Sequence, residues 1–324
     1  MITRRLLAGA ALALPAPAAL RAAEPTSTRP IRMLVGSAPG GSQDLTARLI
    51  APGMAARLGQ AVVVENRGGG GGMLVFDPVM RAVPDGTTVT TGNMGAIIIN
   101  AISEPNFPIK PMNDLAPVSL VADVMTILIT PADRPWRNVE ELIAAARARP
   151  GELSWAHPGV GSSPWLASLL LDKDAGLSTI AVPFRGGAPA VMELIAGRID
   201  YCFATTPTAL PQIRAGKVRA LAVPTPQRLA MIPDVPTMVE LGHRDFLVSG
   251  WFAVMTTPGT PPATILRLNR SINAAAADTD VVAAFAREGM SPLPSTPEEF
   301  AQRGAAEREK WEPIVLAALR GRPG

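Results

Sequence analysis

The chain has 324 residues and is 48% hydrophobic, which is enough length and apolar material for two domains with a core each. The chain has 30 lysine and arginine residues and 27 aspartate and glutamate residues. Three of the basic residues, Arg4, Arg5 and Arg21, precede the first acidic residue, Glu24. From Glu24 onward the chain therefore carries 27 basic and 27 acidic residues. This balance gives no argument for binding to nucleic acid or to an acidic surface.

The first element in chain order is a predicted signal peptide over residues 1–23. Arg4 and Arg5 begin it, an apolar stretch follows, and small residues precede possible cleavage sites after Ala18 or around Ala22. An uncleaved membrane anchor is the alternative, although the apolar run is shorter than the roughly 20 residues that a span needs. The adjacent arginines leave general secretion and twin-arginine export both open. We therefore expect a periplasmic protein.

Short β-rich runs then alternate with helical patterns. The runs that predict strands are 31–35, 61–66, 87–92, 117–130, 152–157, 178–184, 198–204, 218–224 and 246–257. The segments whose apolar residues recur every three or four positions, as in a helix, are 45–59, 139–149, 164–173 and 188–197. The tail beyond residue 261 is also predicted to be helical, with capping signals at Thr296 and Glu299. This alternation predicts a parallel or mixed sheet covered by helices.

Two of the strand runs, near 117–130 and 246–257, are unusually long. They are the natural places for the chain to cross between two domains. The predicted fold is therefore α/β with two domains and a ligand cleft between them. The predicted bounds are 24–123 with 250–324 for the first domain and 124–249 for the second.

Motifs for catalysis, metals and cofactors are scarce. His157 and His243 have no HExxH motif and no partner cysteines, so no zinc site is expected. Cys202 is the single cysteine and lies in an apolar run, which predicts a buried thiol rather than a disulfide or a nucleophile. The chain has no GxSxG or GxxxxGK[ST] motif, and its glycine run at 68–72 lacks the acidic residue of a dinucleotide site. We predict no catalytic residue, metal or cofactor, although a serine triad built from distant residues stays open.

Two glycine-rich turns each join a strand to a helix. The first, "APGGSQD", puts Gly41 or Ser42 at the helix N-cap and lets Asp44 return a hydrogen bond within the first turn. The second, "PGVGSSP" at 158–164, begins the helix that follows. Backbone N–H groups and the positive end of a helix dipole bind anions without any arginine. Two such turns facing each other would suit a ligand with two carboxylates, and an ordinary strand-to-helix turn is the alternative for each.

Taken together, these turns and their neighbours resemble the tripartite tricarboxylate transporter substrate-binding proteins, the TctC or Bug family. The resemblance begins with "PIRMLVGSAPGGSQDLTARLIAPGMAARLGQAVVVENRGGGGG". Further similar segments follow in order: "VPDGTTVTTGN", "LAPVSLVA", "GELSWAHPGVGSSPWLA", "VPFRGGAPAVMELIAGRIDYCF", "GKVRALAV", "IPDVPTMVELG", "WFAVMTTPGTPP" and "TPEEFA". The similarity covers almost the whole chain after the predicted signal peptide.

The resemblance implies a type II-like periplasmic binding protein whose two α/β domains close on a small carboxylated solute. The solute would pass to membrane permease subunits, and we expect a monomer without enzymatic activity or nucleic-acid partner. A ligand-presenting partner of a membrane receptor is one alternative function, and an enzyme on the same scaffold is another.

The resemblance also implies that the two turns hold the carboxylates of the ligand, often with bridging water. The predicted ligand-binding residues in these turns and in the loops beside them are Ala38, Gly40, Gly41, Ser42, Asp44, Asn93, Gly161, Ser162, Ser163, Trp165, Arg185, Gly186 and Thr205.

The chain departs from the family pattern at several of these places. Gly36 and Ser37 stand where the family usually has proline and an aromatic residue, and Ala204 stands where many members have aspartate. Trp165 replaces a histidine or polar residue and is expected either in the core or on the ligand, while Arg185 is expected either at the ligand or as a solvated charge. Because Ala204 offers no acceptor, we hypothesise a ligand without an amino group and with an apolar or aromatic body.

Overall fold

The structure is a computed structural model that describes residues 29–104 and 106–320, with side chains to residue 317. The predicted signal peptide lies outside the described residues. The strands are β1 (Ile31–Val35), β2 (Val62–Asn66), β3 (Thr88–Asn93), β4 (Ala116–Val124), β5 (Thr126–Pro131), β6 (Ser154–His157), β7 (Ile180–Pro183), β8 (Cys202–Thr205), β9 (Val218–Ala222), β10 (Gly250–Thr256) and β11 (Met290–Pro292). Each predicted strand run overlaps at least one of them.

The α-helices follow the predicted helical segments and add short ones between them. They are α1 (Ser42–Leu58), α2 (Phe76–Met80), α3 (Asn100–Ser103), α4 (Pro111–Asp114), α5 (Val139–Ala148), α6 (Ser163–Ala175), α7 (Gly187–Ile195), α8 (Thr206–Arg214), α9 (Pro262–Ala276), α10 (Thr279–Arg287) and α11 (Pro297–Arg320). A 3-10 segment, Gly70–Val75, and a π segment, Gly95–Ile99, complete the helical structure that is described. The predicted capping signal before α11 is confirmed, since Thr296 and Glu299 exchange hydrogen bonds between backbone N–H and side-chain oxygen.

The first sheet has six strands in the order β11-β4-β10-β3-β1-β2. Strand β1 is parallel to β2 and β3, whereas β10 runs antiparallel to both β3 and β4. Along β1 the side chains alternate between two cores, with Met33 and Val35 on the α1 side and Leu34 on the other. Helices α1 and α9 pack together over one face, and α11 packs on the opposite face against β4.

The second sheet is built from the middle of the chain. Strand β5 is antiparallel to β8 and β9, and the parallel pair β6–β7 joins them through a bridge between Trp155 and Tyr201. Helices α6 to α8 pack around these strands, and buried residues of α5 such as Leu142 belong to the same core as Leu128 and Trp155. Cys202 is buried in this core as predicted, and burial raises the pKa of its thiol.

The chain passes from one sheet to the other at Met125, between β4 and β5, as the long run at 117–130 predicted. It returns before β10, but only Gly250–Thr256 of the run at 246–257 is strand. The residues just before β10 instead follow the loop after β9, where the N–H of Val248 donates to the carbonyl of Pro224. Two sheets joined by two crossings give a two-domain α/β architecture, while the exact domain bounds stay a prediction.

Candidate functional site

A small cavity lies between the two sheets. Its volume is about 60 Å³, which corresponds to roughly four waters and therefore favours a small solute. The first sheet and its turns contribute lining residues such as Ser42 and Asn93, while the second contributes residues such as Ser163 and Ala204. The cavity is thus formed jointly by the two halves of the fold.

Four helices begin at this cavity. The first residues of α1 and α6, the residues around the start of α7, and Thr205 just before α8 all line it. Helices α1, α7 and α8 have no side-chain cap, whereas the Ser162 hydroxyl caps α6 by accepting from the N–H of Trp165. Because each N-terminus carries a partial positive charge, their convergence favours an anionic group.

Six of the predicted site residues line the cavity. They are Ser42, Asn93, Ser162, Ser163, Gly186 and Thr205. The other seven, Ala38, Gly40, Gly41, Asp44, Gly161, Trp165 and Arg185, lie around the cavity without lining it. Their contacts explain what they do instead.

Asp44 holds the first turn together. Its buried carboxylate accepts hydrogen bonds from the Gly40 N–H at 3.0 Å, the Arg48 guanidinium at 2.9 Å and the Asn66 amide at 2.9 Å. Burial alone raises the pKa of Asp44, but these hydrogen bonds and the charge of Arg48 outweigh it and lower the pKa. The predicted N-cap is confirmed as Gly41, and the hydrogen bond that Asp44 returns reaches Gly40 just before it.

Ala38, Gly161 and Arg185 make contacts between the two halves of the fold. The N–H of Ala38 donates to the carbonyl of Arg185 at 3.2 Å. That N–H is therefore not available to a ligand, and Arg185 takes part through its backbone while its side chain is exposed. Gly161 lies so close to Ile99 that an added Cβ would come within 2.7 Å of it.

Trp165 lies in the hydrophobic core and is 1% exposed. Of the two expectations for this residue, the structure supports the core position rather than one on the cavity. The tryptophan that lines the cavity is instead Trp251 in β10, which is fully buried. Its ring packs edge-on against Phe300 of α11, and its indole N–H has no acceptor among the described residues.

The cavity hydroxyls differ in whether their proton is free. Ser162 donates to the carbonyl of Gly159 at 2.7 Å, so only its lone pairs remain. Thr208 donates to the carbonyl of Thr205, so in the 3.1 Å contact between the two threonine hydroxyls Thr205 is the donor. The hydroxyls of Ser42 and Ser163, the first residues of α1 and α6, donate to no described residue. These two protons are the ones that can be given to an anion.

Asn93 and Gln43 form an amide chain beside the cavity. Gln43 donates to the carbonyl of Thr91 at 2.6 Å, and its own oxygen faces the Asn93 amide at 3.5 Å. The Asn93 oxygen accepts from the N–H of Ala96 at 2.8 Å, so the orientation of the Asn93 amide is fixed. One proton of the Asn93 amide remains for a ligand.

The predicted ligand-binding residues include little of the apolar lining, although Gly36, Ser37 and Ala204 stand out in the sequence as departures from the family pattern. The additional lining residues are Gly36, Ser37, Gln43, Met94, Val124, Ala156, Pro158, Pro164, Gly187, Ala190, Val191, Cys202, Phe203, Ala204, Gly250, Trp251 and Phe252. The sequence signal for several of them was that they lie next to the predicted turns along the chain. Among the described residues, no aspartate, glutamate, lysine, arginine or histidine lines the cavity.

Beside the cavity the two halves touch through glycines. An added Cβ at Gly95 would lie 2.3 Å from the Gly161 carbonyl carbon, and one at Gly159 would lie 2.5 Å from the Cα of Gly71. An added Cβ at Gly68 would lie 2.9 Å from the Arg185 carbonyl oxygen. Backbone therefore meets backbone at each of these places, which describes a closed arrangement of the two halves.

This fold and cleft define a two-domain solute-binding protein of the periplasmic type. A sequence model described as "Tripartite tricarboxylate transporter family receptor" (TctC) matches residues 46–319. The chain belongs to this family, whose members are periplasmic solute-binding proteins for carboxylates.

Individual relatives agree with this assignment. The chain is 39% identical to Protein BugT of Bordetella pertussis, over 89% of this chain and 88% of that one. Its structure is similar to MatC from Rhodopseudomonas palustris with bound malate, with a TM-score of 0.84, 32% identity, and coverage of 89% and 99% of the two chains. It is also similar to an R. palustris protein with adipate, with a TM-score of 0.83, 29% identity, and coverage of 90% and 97%.

No cluster of three or more histidine, cysteine, aspartate or glutamate side chains within the described residues has the arrangement of a metal site. None of the helices described is at once long enough and apolar enough to cross a bilayer.

Proposed function

We propose that this protein captures a small carboxylated solute between its two domains and delivers it to a membrane transporter. The observation that supports this function is the convergence of four helix N-termini on a cavity that is lined by no charged side chain of the described residues. An anion there is stabilised by backbone N–H groups and helix dipoles, and it displaces no resident counter-charge.

The ligand-binding groups in this proposal come from both domains. Ser42 and Asn93 donate from the first domain, with bounds 24–123 and 250–324. Ser163 donates from the second, with bounds 124–249. Closure about the two crossings brings these donors together and excludes water, as in other hinged binding proteins. In this scheme the residues outside the cavity lining support the site: Asp44 shapes the first turn, and Ala38 and Arg185 join the domains.

The proposal includes export and the absence of catalysis. Removal of residues 1–23 would release the protein into the periplasm, where a permease could receive the solute from the monomer. The cavity offers serine hydroxyls, but His157 does not line it and no other imidazole or carboxylate does so among the described residues. A serine nucleophile would therefore lack a general base.

The test is a thermal-shift screen of the purified protein against mono- and dicarboxylic acids, including malate and adipate, followed by calorimetry. A ligand present at 100 times its dissociation constant adds about 2.7 kcal/mol of stability. A clear rise in melting temperature with at least one acid supports the proposal, and incubation with that acid should give no product. If no carboxylic acid shifts the melting temperature while solutes of another class do, the proposal is wrong.

A further inference from the structure

We infer that the cavity selects carboxylates that carry no cationic group, so that plain or hydroxylated acids bind and amino acids are rejected. This inference rests on the proposed function and adds to it the class of carboxylate.

The first observation is the lack of a negative partner. No carboxylate lines the cavity among the described residues. The nearest acidic residue of the first turn, Asp44, already accepts three hydrogen bonds and is paired with Arg48. An ammonium that enters the cavity loses its water without gaining an ion pair, which is costly for a charged group.

The second observation is that the helix dipoles make the electrostatic potential in the cavity positive. The same four helix N-termini that attract a carboxylate repel a cation, because the positive ends of all four dipoles are at the cavity. The acceptors left among the hydroxyls that line the cavity are neutral lone pairs, including those of Ser162 and Thr205. They can receive a hydrogen bond from a ligand hydroxyl, but they carry no charge to offset an ammonium.

The third observation is the wall that would surround the body of the ligand. It is formed by Val124, Ala156, Ala190, Val191, Phe203 and Ala204, all of which line the cavity. These side chains come from β6, α7 and β8, together with the end of β4. A hydrocarbon body is favoured against such a wall and a charged substituent is not.

The experiment is a paired titration by calorimetry at pH 7.5. Each pair is an acid that passed the thermal-shift screen and its amino counterpart, for example succinate with aspartate, glutarate with glutamate, or propionate with alanine. We expect the acid without the amino group to bind at least about 100-fold more tightly, since the unpaired ammonium is desolvated in the complex.

A matched pair of variants tests the cause. Ala204→Asp places a carboxylate on the wall and should shift the preference toward the amino acid by about tenfold or more. Ala204→Asn has nearly the same shape without the charge and should leave the preference unchanged. If the Asp variant does not fold, the titration of the unaltered protein still decides the inference.

The outcomes separate this inference from the proposed function. Tighter binding of the amino acid in any pair overturns the inference and leaves carboxylate capture standing. An equal shift of preference in both variants also overturns it, because shape rather than charge would then set the selectivity. Failure of every carboxylic acid in the screen overturns the proposed function itself.

Discussion

Replacing Gly95 by alanine should weaken ligand binding and leave the ligand-free protein as stable as before. Gly95 begins the π segment of the first domain, and an added Cβ would lie 2.3 Å from the carbonyl carbon and 2.4 Å from the carbonyl oxygen of Gly161. Ordinary van der Waals contact begins at 3.4 Å, so the two backbones must separate by about 1 Å.

The cost of this overlap should fall on the closed form. Overpacking of this kind costs about 1–3 kcal/mol, and that cost corresponds to a loss of roughly 5- to 150-fold in affinity. A slight opening of the cleft relieves the overlap in the ligand-free protein. The φ of Gly95 is not positive, and alanine in a helical segment is favoured over glycine by about 0.5–1 kcal/mol.

The assay combines calorimetric affinity for an acid from the screen with the melting temperature of the ligand-free protein. Gly304→Ala is the matched control, because it also adds a methyl group to a helical glycine. Its Cβ meets the terminal methyl of Met112 at 2.9 Å, and Met112 is a flexible side chain of the same domain. Unchanged affinity in Gly95→Ala, or an equal loss in Gly304→Ala, would refute the reasoning.

Four further changes test the site and the fold around it. Ser163→Ala should weaken acid binding by about 10- to 100-fold, because it removes a hydroxyl proton available to a charged oxygen; calorimetry with an unchanged affinity would remove Ser163 from the site. Ser162→Ala should instead lower the free energy of unfolding by about 1 kcal/mol in denaturant titrations, because it deletes the cap of α6. Arg185→Ala should leave the affinity unchanged, since its backbone carbonyl and not its side chain meets Ala38; a tenfold loss would contradict this. Burial raises the pKa of Asp123 to about 6 from 3.8, so the folded protein binds this proton more tightly and its stability falls as the pH rises through that interval. Asp123→Asn should therefore be more stable than the unaltered protein at pH 7.5 by about 3 kcal/mol and equally stable at pH 3.5, as measured by urea unfolding.

Much of the fold could be predicted because local signals agree with the tertiary structure. The alternation along β1 matches two separate cores, and the hydrogen bonds between Thr296 and Glu299 follow directly from their spacing. The run at 246–257 was predicted too long because Phe246 and Val248 have strand-like residue types but follow a loop. Their pairing with that loop is a long-range contact that no local pattern reports.

The site was harder to predict because it depends on closure and on single hydrogen bonds. Ser162 and Ser163 are adjacent and of the same type, yet the position of the Gly159 carbonyl decides which of them keeps a free proton. Trp165 and Trp251 are both buried and both have an indole N–H without an acceptor among the described residues. They differ in that Trp251 lines the cavity, because β10 runs past it. The course of β10 depends on the strand order of the sheet, which no local sequence pattern shows.

The position of β10 also determines the order in which the chain can assemble. Strands β5 to β9 form a continuous block from Thr126 to Ala222, so this sheet can form without a strand from either end of the chain. Strand β10, which starts at Gly250, lies between β3 and β4 in the first sheet. Until β10 is in place, the edges of β3 and β4 that face it have unpaired backbone N–H and C=O groups. A chain that stops before Gly250 would expose both edges and invite aggregation through strand pairing. Joining strands so distant in sequence is slow, so this insertion is expected to be the late step of folding.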